Sequence, residues 1–316
     1  MKTDPDNYTR RRHKHDYYGP CAYHIILKKA PVAEKFGELI GDARIAPWHP
    51  GCASIRWSSL GRSIGLTIQD FENHFPVIKV YCFCIMPDHI HLFIQKKERT
   101  QKHLGIYMAH LKSRICKRHS AATGQNFTSD EIFLANYTDK PIYSARSFES
   151  VRLYIKENPH RLAMRRQYPQ FFVRDRRITF GQTALDAYGN LFFLRNPDKL
   201  AVKISSKDSN EAVENKIAYW LSQAREGTVL VSPFISAKEK DVRQMAEAAD
   251  ASIILIVHET LPERYKPEAH NFAQWAKGRW LILSMGLPVK TPLSREICIQ
   301  MNELAEKLAS GLGCYR

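Results

Sequence analysis

Several features that assign a protein to a class are missing from this sequence of 316 residues. No apolar run approaches the roughly 18 residues that a membrane-spanning helix needs, and the first 20 residues lack the apolar stretch of a secretion signal. No glycine-rich loop of the form G-x-x-x-x-G-K-[ST] occurs, which excludes a P-loop NTPase or helicase. These absences predict a cytoplasmic protein without a membrane partner.

Cysteine is present, but its arrangement excludes two further classes. The seven cysteines are scattered, odd in number and include no C-x-x-C pair. A disulfide framework needs paired cysteines in an oxidising compartment, and structural zinc sites usually need closely spaced ones. The chain is therefore predicted to contain neither, and a reducing compartment is the simplest interpretation.

Acidic residues are outnumbered in one part of the chain only. The formal net charge is +15, from 47 Lys and Arg against 32 Asp and Glu. Residues 211–316 hold 13 of each sign, so the whole excess belongs to residues 1–210. A basic part joined to a neutral part indicates a nucleic-acid surface confined to the first part, with a membrane surface or an acidic protein as the alternatives.

The order of predicted elements changes near residue 210. The first part reads as strand, helix, two strands and further helices, which favours a small α+β sandwich with an antiparallel sheet and helices on one face. The second part alternates helices with continuous apolar strands, which predicts a Rossmann-like parallel α/β domain. The predicted organisation is a basic arm at 1–20, an α/β domain at 21–177, a connecting segment at 178–209 and the Rossmann-like domain at 210–316. Both a monomer and a homodimer remain open.

Two histidines flank one isoleucine in "MPDHIHLFI". On a strand, His89 and His91 project to the same face, where two imidazoles can share one metal ion. The alternative is that both histidines are structural residues of the strand with their hydrogen bonds made within the protein. Chance alone gives one H-x-H in roughly half of chains with this histidine content.

A second group lies in "VRLYIKENPHR", where Tyr154 and Asn158 share one face of a predicted helix. The alternative makes Tyr154 a core residue and Asn158 a helix cap. Phosphate contacts are predicted for arginines of the N-terminal arm and of the segment after this motif, each of which alone also fits a surface charge. They are Arg10, Arg11, Arg12, Arg161, Arg165 and Arg166.

Together, in this order and spacing, the two motifs resemble those of the single-tyrosine HUH transposases, in particular the REP-associated tyrosine transposases. The resemblance covers about residues 10–165 and includes the basic stretch before the first predicted strand. It departs from the family in "ANYTDKPIYSARSF", where Tyr143 lacks the usual acidic follower, and Tyr143 is not the expected nucleophile.

The resemblance implies a ferredoxin-like core and a divalent metal, Mg²⁺ or Mn²⁺, bound by His89, His91 and Asn158. It further implies that Tyr154 attacks single-stranded, hairpin-forming DNA, nicks it and transfers the strand through a 5′-phosphotyrosine intermediate. Mixed nitrogen and oxygen ligands suit Mn²⁺ at least as well as Mg²⁺. The alternatives are a non-catalytic, domesticated nucleic-acid-binding regulator with the same fold and a replication initiator or relaxase with the same chemistry.

The segment "GTVLVSPFISAKEKDVRQMAEAADASIILIVHE" loosely resembles the Rossmann-like domains related to DNA-processing protein A, but lacks a G-x-G-x-x-G motif. An unknown ligand at the strand ends of this domain is one interpretation, and a structural role or the docking of a partner is the alternative. Ser232 and Ser236 could hold an anion there, and Ser236 is alternatively a helix N-cap.

Overall fold

The computed structural model describes five stretches of the chain, residues 15–45, 49–181, 183–205, 207–267 and 271–311. The chain divides into two compact units, Met1–Ala163 and Met164–Arg316, called here the first and second unit. Within the described stretches, no helix combines the length and the apolar character needed to cross a bilayer. The six cysteines in these stretches are free thiols.

The first unit is built on a four-stranded sheet in the order β4-β5-β1-β6. Every neighbouring pair is antiparallel, and this strand order with intervening helices is ferredoxin-like. The predicted fold class is confirmed. A separate hairpin completes the strands of this unit, which are β1 (Cys21–Lys29), β2 (Gly37–Ile40), β3 (Ser54–Trp57), β4 (Ile78–Ile85), β5 (His89–Lys96) and β6 (Phe133–Ile142).

Helices cover both faces of this sheet, although the sequence predicted one covered face. The helices are α1 (Ser59–Gln69), α2 (Phe71–His74), α3 (Leu104–Thr123), α4 (Ser129–Ile132) and α5 (Ala145–Gln167). Buried residues of α1 and α3 pack with Ile25 and Leu27 in the main core. Phe93 points to the other face, where it packs with Val151 and Ile155 of α5. Because side chains alternate along a strand, each strand supplies both cores.

Particular residues explain the course of the two long helices. Helix α3 begins at Leu104, because the imidazole of His103 caps it and accepts from the backbone N–H of Gly105. Pro159 lies inside α5. Proline removes one backbone donor from a helix, and the helix nevertheless continues to Gln167. The motif with Tyr154 and Asn158 is therefore held in an uninterrupted helix.

The second unit contains a six-stranded sheet in the order β7-β8-β12-β11-β10-β9. The strands β10, β11 and β12 are parallel, as predicted, and β9 adds a fourth parallel strand. The strands β7 and β8 add an antiparallel hairpin beside β12. The elements are β7 (Val173–Phe180), β8 (Thr183–Gly189), α6 (Phe192–Arg195), β9 (Lys199–Ala201), α7 (Asn210–Arg225), β10 (Val229–Ser232), α8 (Ala237–Ala248), β11 (Ile253–Glu259), α9 (Phe272–Ala276), β12 (Trp280–Leu287) and α10 (Arg295–Ala309).

The structure places the division of the chain earlier than the sequence analysis did. Residues 178–209, predicted as a connecting segment, contain β8 and β9 of the six-stranded sheet. Leu185 and Ala187 of β8 are buried in the same core as residues of α10. The polar stretch near 205–210, predicted as a boundary, lies between β9 and α7 of one unit. Composition alone does not distinguish a surface loop within a domain from a linker.

Candidate active site on the antiparallel sheet

The two histidines of the H-x-H motif lie at the start of β5 and face each other. Alternation along the strand buries Ile90 and Leu92 on the α1/α3 side, which leaves both imidazoles on the α5 side. The Nε2 atoms of His89 and His91 are 3.0 Å apart. The predicted sharing of one face is therefore confirmed.

Each imidazole of the pair is also held through its other nitrogen. Asp88 Oδ1 lies 2.7 Å from His89 Nδ1, and His24 Nε2 lies 2.9 Å from His91 Nδ1. The hydrogen bond to His89 holds the pKa of the Asp88 carboxyl below its ordinary value. Partners at the outer nitrogens are what metal-binding histidines usually have, because these partners orient the rings.

The geometry of the pair fits a divalent cation. Two nitrogens on adjacent corners of an octahedron, each about 2.1 Å from the cation, are about 3.0 Å apart, which matches the separation of the two Nε2 atoms. In the described part of the chain, no group of three or more His, Cys, Asp or Glu could hold a metal. Remaining ligands would have to be amide oxygens, water or substrate oxygens.

Tyr154 lies beside the histidines, as the resemblance implied. Helix α5 places its ring 5.5 Å from the ring of His91 and 5.9 Å from that of His24, both edge-to-face. The three side chains come from two strands and a distant helix. The structure thus brings the phenol and the imidazole together, and the role of Tyr154 as a nucleophile stays a prediction.

Asn158 is 8% exposed on the same helix. Its Nδ2 donates to the carbonyl oxygen of Tyr154 at 2.8 Å. This bond orients the amide within α5, and the predicted role of Asn158 as a metal ligand stays a prediction.

Arg161 occupies a different place from the one predicted. Its side chain is buried, with 1% of the residue exposed, and its Cζ lies 5.0 Å from the centre of the Tyr154 ring. Its Nε is 3.7 Å from Glu157 Oε2. Burial raises the pKa of Glu157, and the charge of Arg161 opposes that rise. The guanidinium therefore packs over the phenol instead of lying on the surface that a phosphate would meet.

The other predicted arginines divide into two groups. Arg165 lies in the second unit with its Cζ 5.8 Å from the ring of Phe172, and Arg166 is exposed. Arg10, Arg11 and Arg12 lie outside the described residues. Contact of any of these arginines with DNA stays a prediction.

Tyr143, the second tyrosine near the motif, lies far from the histidine pair. It follows Ile142, which is paired with Ala22, whereas His91 is paired with Ile26. Four residues of strand separate these positions by about 13 Å along β1. The Tyr143 hydroxyl instead lies 3.0 Å from Nδ1 of His15. Tyr143 is therefore not placed to act with His91.

His24 was not among the residues predicted for this site, although its strand carried a signal. In "CAYHIILKK", Tyr23, Ile25 and Leu27 form one buried face of β1, so His24 belongs to the opposite face. What the alternation could not show is that β1 pairs with β5, with Ile26 opposite His91. That pairing brings His24 to His91.

At the carboxyl end of β10 in the second unit, backbone N–H groups are bound by side chains of the same unit. The buried carboxylate of Glu239 accepts hydrogen bonds from the backbone N–H groups of Ile204, Ile235 and Ser236. Ser236 is the N-cap of α8, and Ser232 Oγ accepts from the N–H of Phe234. A carboxylate thus takes the N–H groups that an anion would need. Next to it is a mainly apolar cavity of about 430 Å³, whose lining includes Phe234, His258 and Met301.

Comparisons with known proteins give a distant likeness. No family model and no curated protein matches the chain. Among solved structures, a REP-associated tyrosine transposase bound to a REP hairpin is 12% identical, with a TM-score of 0.31 over 47% of this chain and 72% of that one. A transposase candidate from Deinococcus radiodurans R1 is 14% identical, with a TM-score of 0.26 over 46% of this chain and 97% of that one. Likeness at this level concerns about half of the chain and identifies no function.

Proposed function

We propose that this protein nicks and rejoins single-stranded DNA in a metal-dependent reaction, with Tyr154 as the nucleophile. The observation that supports this most directly is the position of the Tyr154 ring 5.5 Å from His91, whose Nε2 faces that of His89 at 3.0 Å. A pair of imidazoles beside a phenol on a sheet of a basic protein suits attack on a phosphodiester. The net charge of +15, carried by residues 1–210, suits a polyanionic substrate.

Each residue has a distinct part in the proposed reaction. His89 and His91 would hold Mg²⁺ or Mn²⁺, with Asn158 as a further oxygen donor; the bound cation supplies charge stabilisation to the phosphate oxygens. The Tyr154 oxygen forms a bond to phosphorus while the bond from phosphorus to the 3′ oxygen breaks. One proton moves, in net, from the phenol to the departing 3′ oxygen. The products are a 5′-phosphotyrosine and a free 3′-hydroxyl, and attack by another 3′-hydroxyl reverses the step.

The proposed substrate is single-stranded DNA folded into a hairpin with an unpaired foot, as the resemblance to the REP-associated tyrosine transposases implies. The exposed Arg166 and the arm residues Arg10, Arg11 and Arg12 are proposed to contact its phosphates. Arg161 is left out of this set because it is buried over Tyr154. The ligand or partner of the second unit stays undefined in this proposal.

The test uses a pool of hairpin oligonucleotides with randomised unpaired ends, incubated with the full chain and Mn²⁺. Denaturing gels and mass analysis of tryptic peptides should reveal an adduct on the peptide that contains Tyr154, and EDTA should abolish it. Tyr143→Phe is the matched control and should leave the adduct unchanged. An adduct on another residue would contradict the assignment of Tyr154. Binding without any adduct across the pool would instead support the non-catalytic regulator.

A further inference from the structure

His91 can bind a cation through Nε2 in only one of its two neutral tautomers. To offer the lone pair of Nε2, which faces His89, His91 must carry its proton on Nδ1. His91 is 1% exposed, so water is a poor acceptor for that N–H. A buried donor without an acceptor is costly. A protein group must therefore accept this proton.

His24 is the group in the right place. Its Nε2 lies 2.9 Å from His91 Nδ1, the nitrogen on the far side of the ring from His89. His24 accepts at Nε2 when its own proton is on Nδ1. It contacts the metal-binding residue and does not share the Nε2 position where the cation would bind.

Without a cation and with neutral imidazoles, the same contacts require the opposite roles. The carboxylate of Asp88 accepts from His89 Nδ1, so His89 Nε2 is left to accept from His91 Nε2. His91 Nδ1 then has a lone pair, and His24 Nε2 must donate to it. His24 would thus donate in one state and accept in the other. Imidazole can do both by exchanging its tautomer.

We propose that His24 is a positioning residue that sets the tautomer of His91 and so lets Nε2 bind the cation. This inference rests on the metal site proposed above. An apolar side chain at position 24 would remove the acceptor that lies 2.9 Å from His91 Nδ1. A glutamine there could still accept or donate, because its amide can rotate.

The experiment measures Mn²⁺ affinity by the loss of the electron paramagnetic resonance signal of free Mn²⁺, in the full chain without DNA. His24→Leu should raise the Kd about 10- to 100-fold, the usual effect of losing the outer partner of a metal-binding histidine. His24→Gln should restore most of the affinity. His110→Leu, which removes an exposed histidine of α3, is the matched control and should have no effect.

A second measurement reports on the hydrogen bond itself. In metal-free protein labelled at histidine, His24→Leu should move the ¹⁵Nδ1 resonance of His91, and an unmoved resonance would overturn the inference. So would equal Mn²⁺ affinity of the wild-type and His24→Leu proteins. A wild-type protein that binds no Mn²⁺ would overturn the metal site on which the inference rests. The two failures are distinguishable because the second appears in the wild type.

Discussion

The histidine cluster of the first unit and the buried carboxylate of the second unit use polar groups in different ways. In the first unit, His24, His89, His91 and Tyr154 meet one another on the face of a sheet under α5. In the second unit, the polar groups at the strand ends are bound to backbone, as Glu239 is to three N–H groups. A buried group that satisfies the backbone stabilises the fold, whereas a cluster of titratable groups facing one another can act on a substrate. This difference supports placing the proposed chemistry in the first unit.

The sheets explain why the units differ. In the antiparallel sheet, His91 and Phe93 share the α5 face, so one strand supplies both a reactive group and an anchor for the helix. The parallel strands β10 and β11 are buried from both sides and consist mainly of apolar residues. In such sheets ligands bind at the ends of the strands. At one of these ends the backbone N–H groups already donate hydrogen bonds to Glu239.

The largest effect is expected from Tyr154→Phe. Removal of the hydroxyl leaves the ring against His91 and removes the proposed nucleophile, so covalent attachment to a labelled hairpin should be lost while binding stays within about twofold. Denaturing gels measure the adduct, and fluorescence anisotropy measures binding. Undiminished adduct in this variant would exclude Tyr154 as the nucleophile.

His89→Ala should reduce Mn²⁺-dependent cleavage by about 100-fold or more, because one of the two imidazole ligands is removed. Cleavage rates at several Mn²⁺ concentrations measure the effect, and His110→Ala is the control on α3. If the rate at saturating Mn²⁺ is unchanged, the two facing imidazoles do not form a metal site.

Glu239→Ala tests whether the buried carboxylate of the second unit stabilises the fold. The variant leaves three backbone N–H groups without their acceptor, which should lower the free energy of unfolding by about 3 kcal/mol. Urea unfolding followed by tryptophan fluorescence is suitable, because Trp220, Trp275 and Trp280 are buried in the second unit.

The control for this variant is Glu211→Ala, because Glu211 is an exposed residue in the first turn of α7. Its free energy of unfolding should fall by about 0.5 kcal/mol. DNA cleavage at low temperature should be unchanged in both variants. Loss of cleavage in folded Glu239→Ala protein would mean that the second unit takes part in the chemistry.

The smallest effect is expected from Arg161→Met, which removes the cation over the Tyr154 ring and should cost about 1 kcal/mol of stability. It should also change the dependence on pH. The pKa of Glu157 is raised in the folded protein by burial, so the stability linked to this carboxyl is present at low pH and lost as pH rises through the raised pKa. Without the opposing charge of Arg161, the decrease in stability with rising pH should become larger.

Thermal unfolding between pH 4.5 and pH 7.5 measures the change, and the double variant with Glu157→Gln is the control because it cannot ionise there. An identical pH profile for wild type and Arg161→Met would show that the two side chains are not coupled.

Local pattern was sufficient for much of this protein. Alternation along a strand puts His89 and His91 on one face wherever the strand lies, and spacing of four residues puts Tyr154 and Asn158 on one side of a helix. The parallel strands were likewise visible as continuous apolar runs, and the N-cap role of Ser236 was among the predicted alternatives. These properties depend on neighbours in sequence.

Tertiary structure alone decided the rest, because pairing and packing join residues that are far apart in the chain. His24 reaches His91 only through the register of β1 against β5, and Arg161 is buried only because α5 lies on the sheet with its phenol beneath the guanidinium. The strand β8 belongs to the second sheet because it pairs with β12, about a hundred residues later. Periodicity determines which way a side chain points, and long-range pairing determines what it meets.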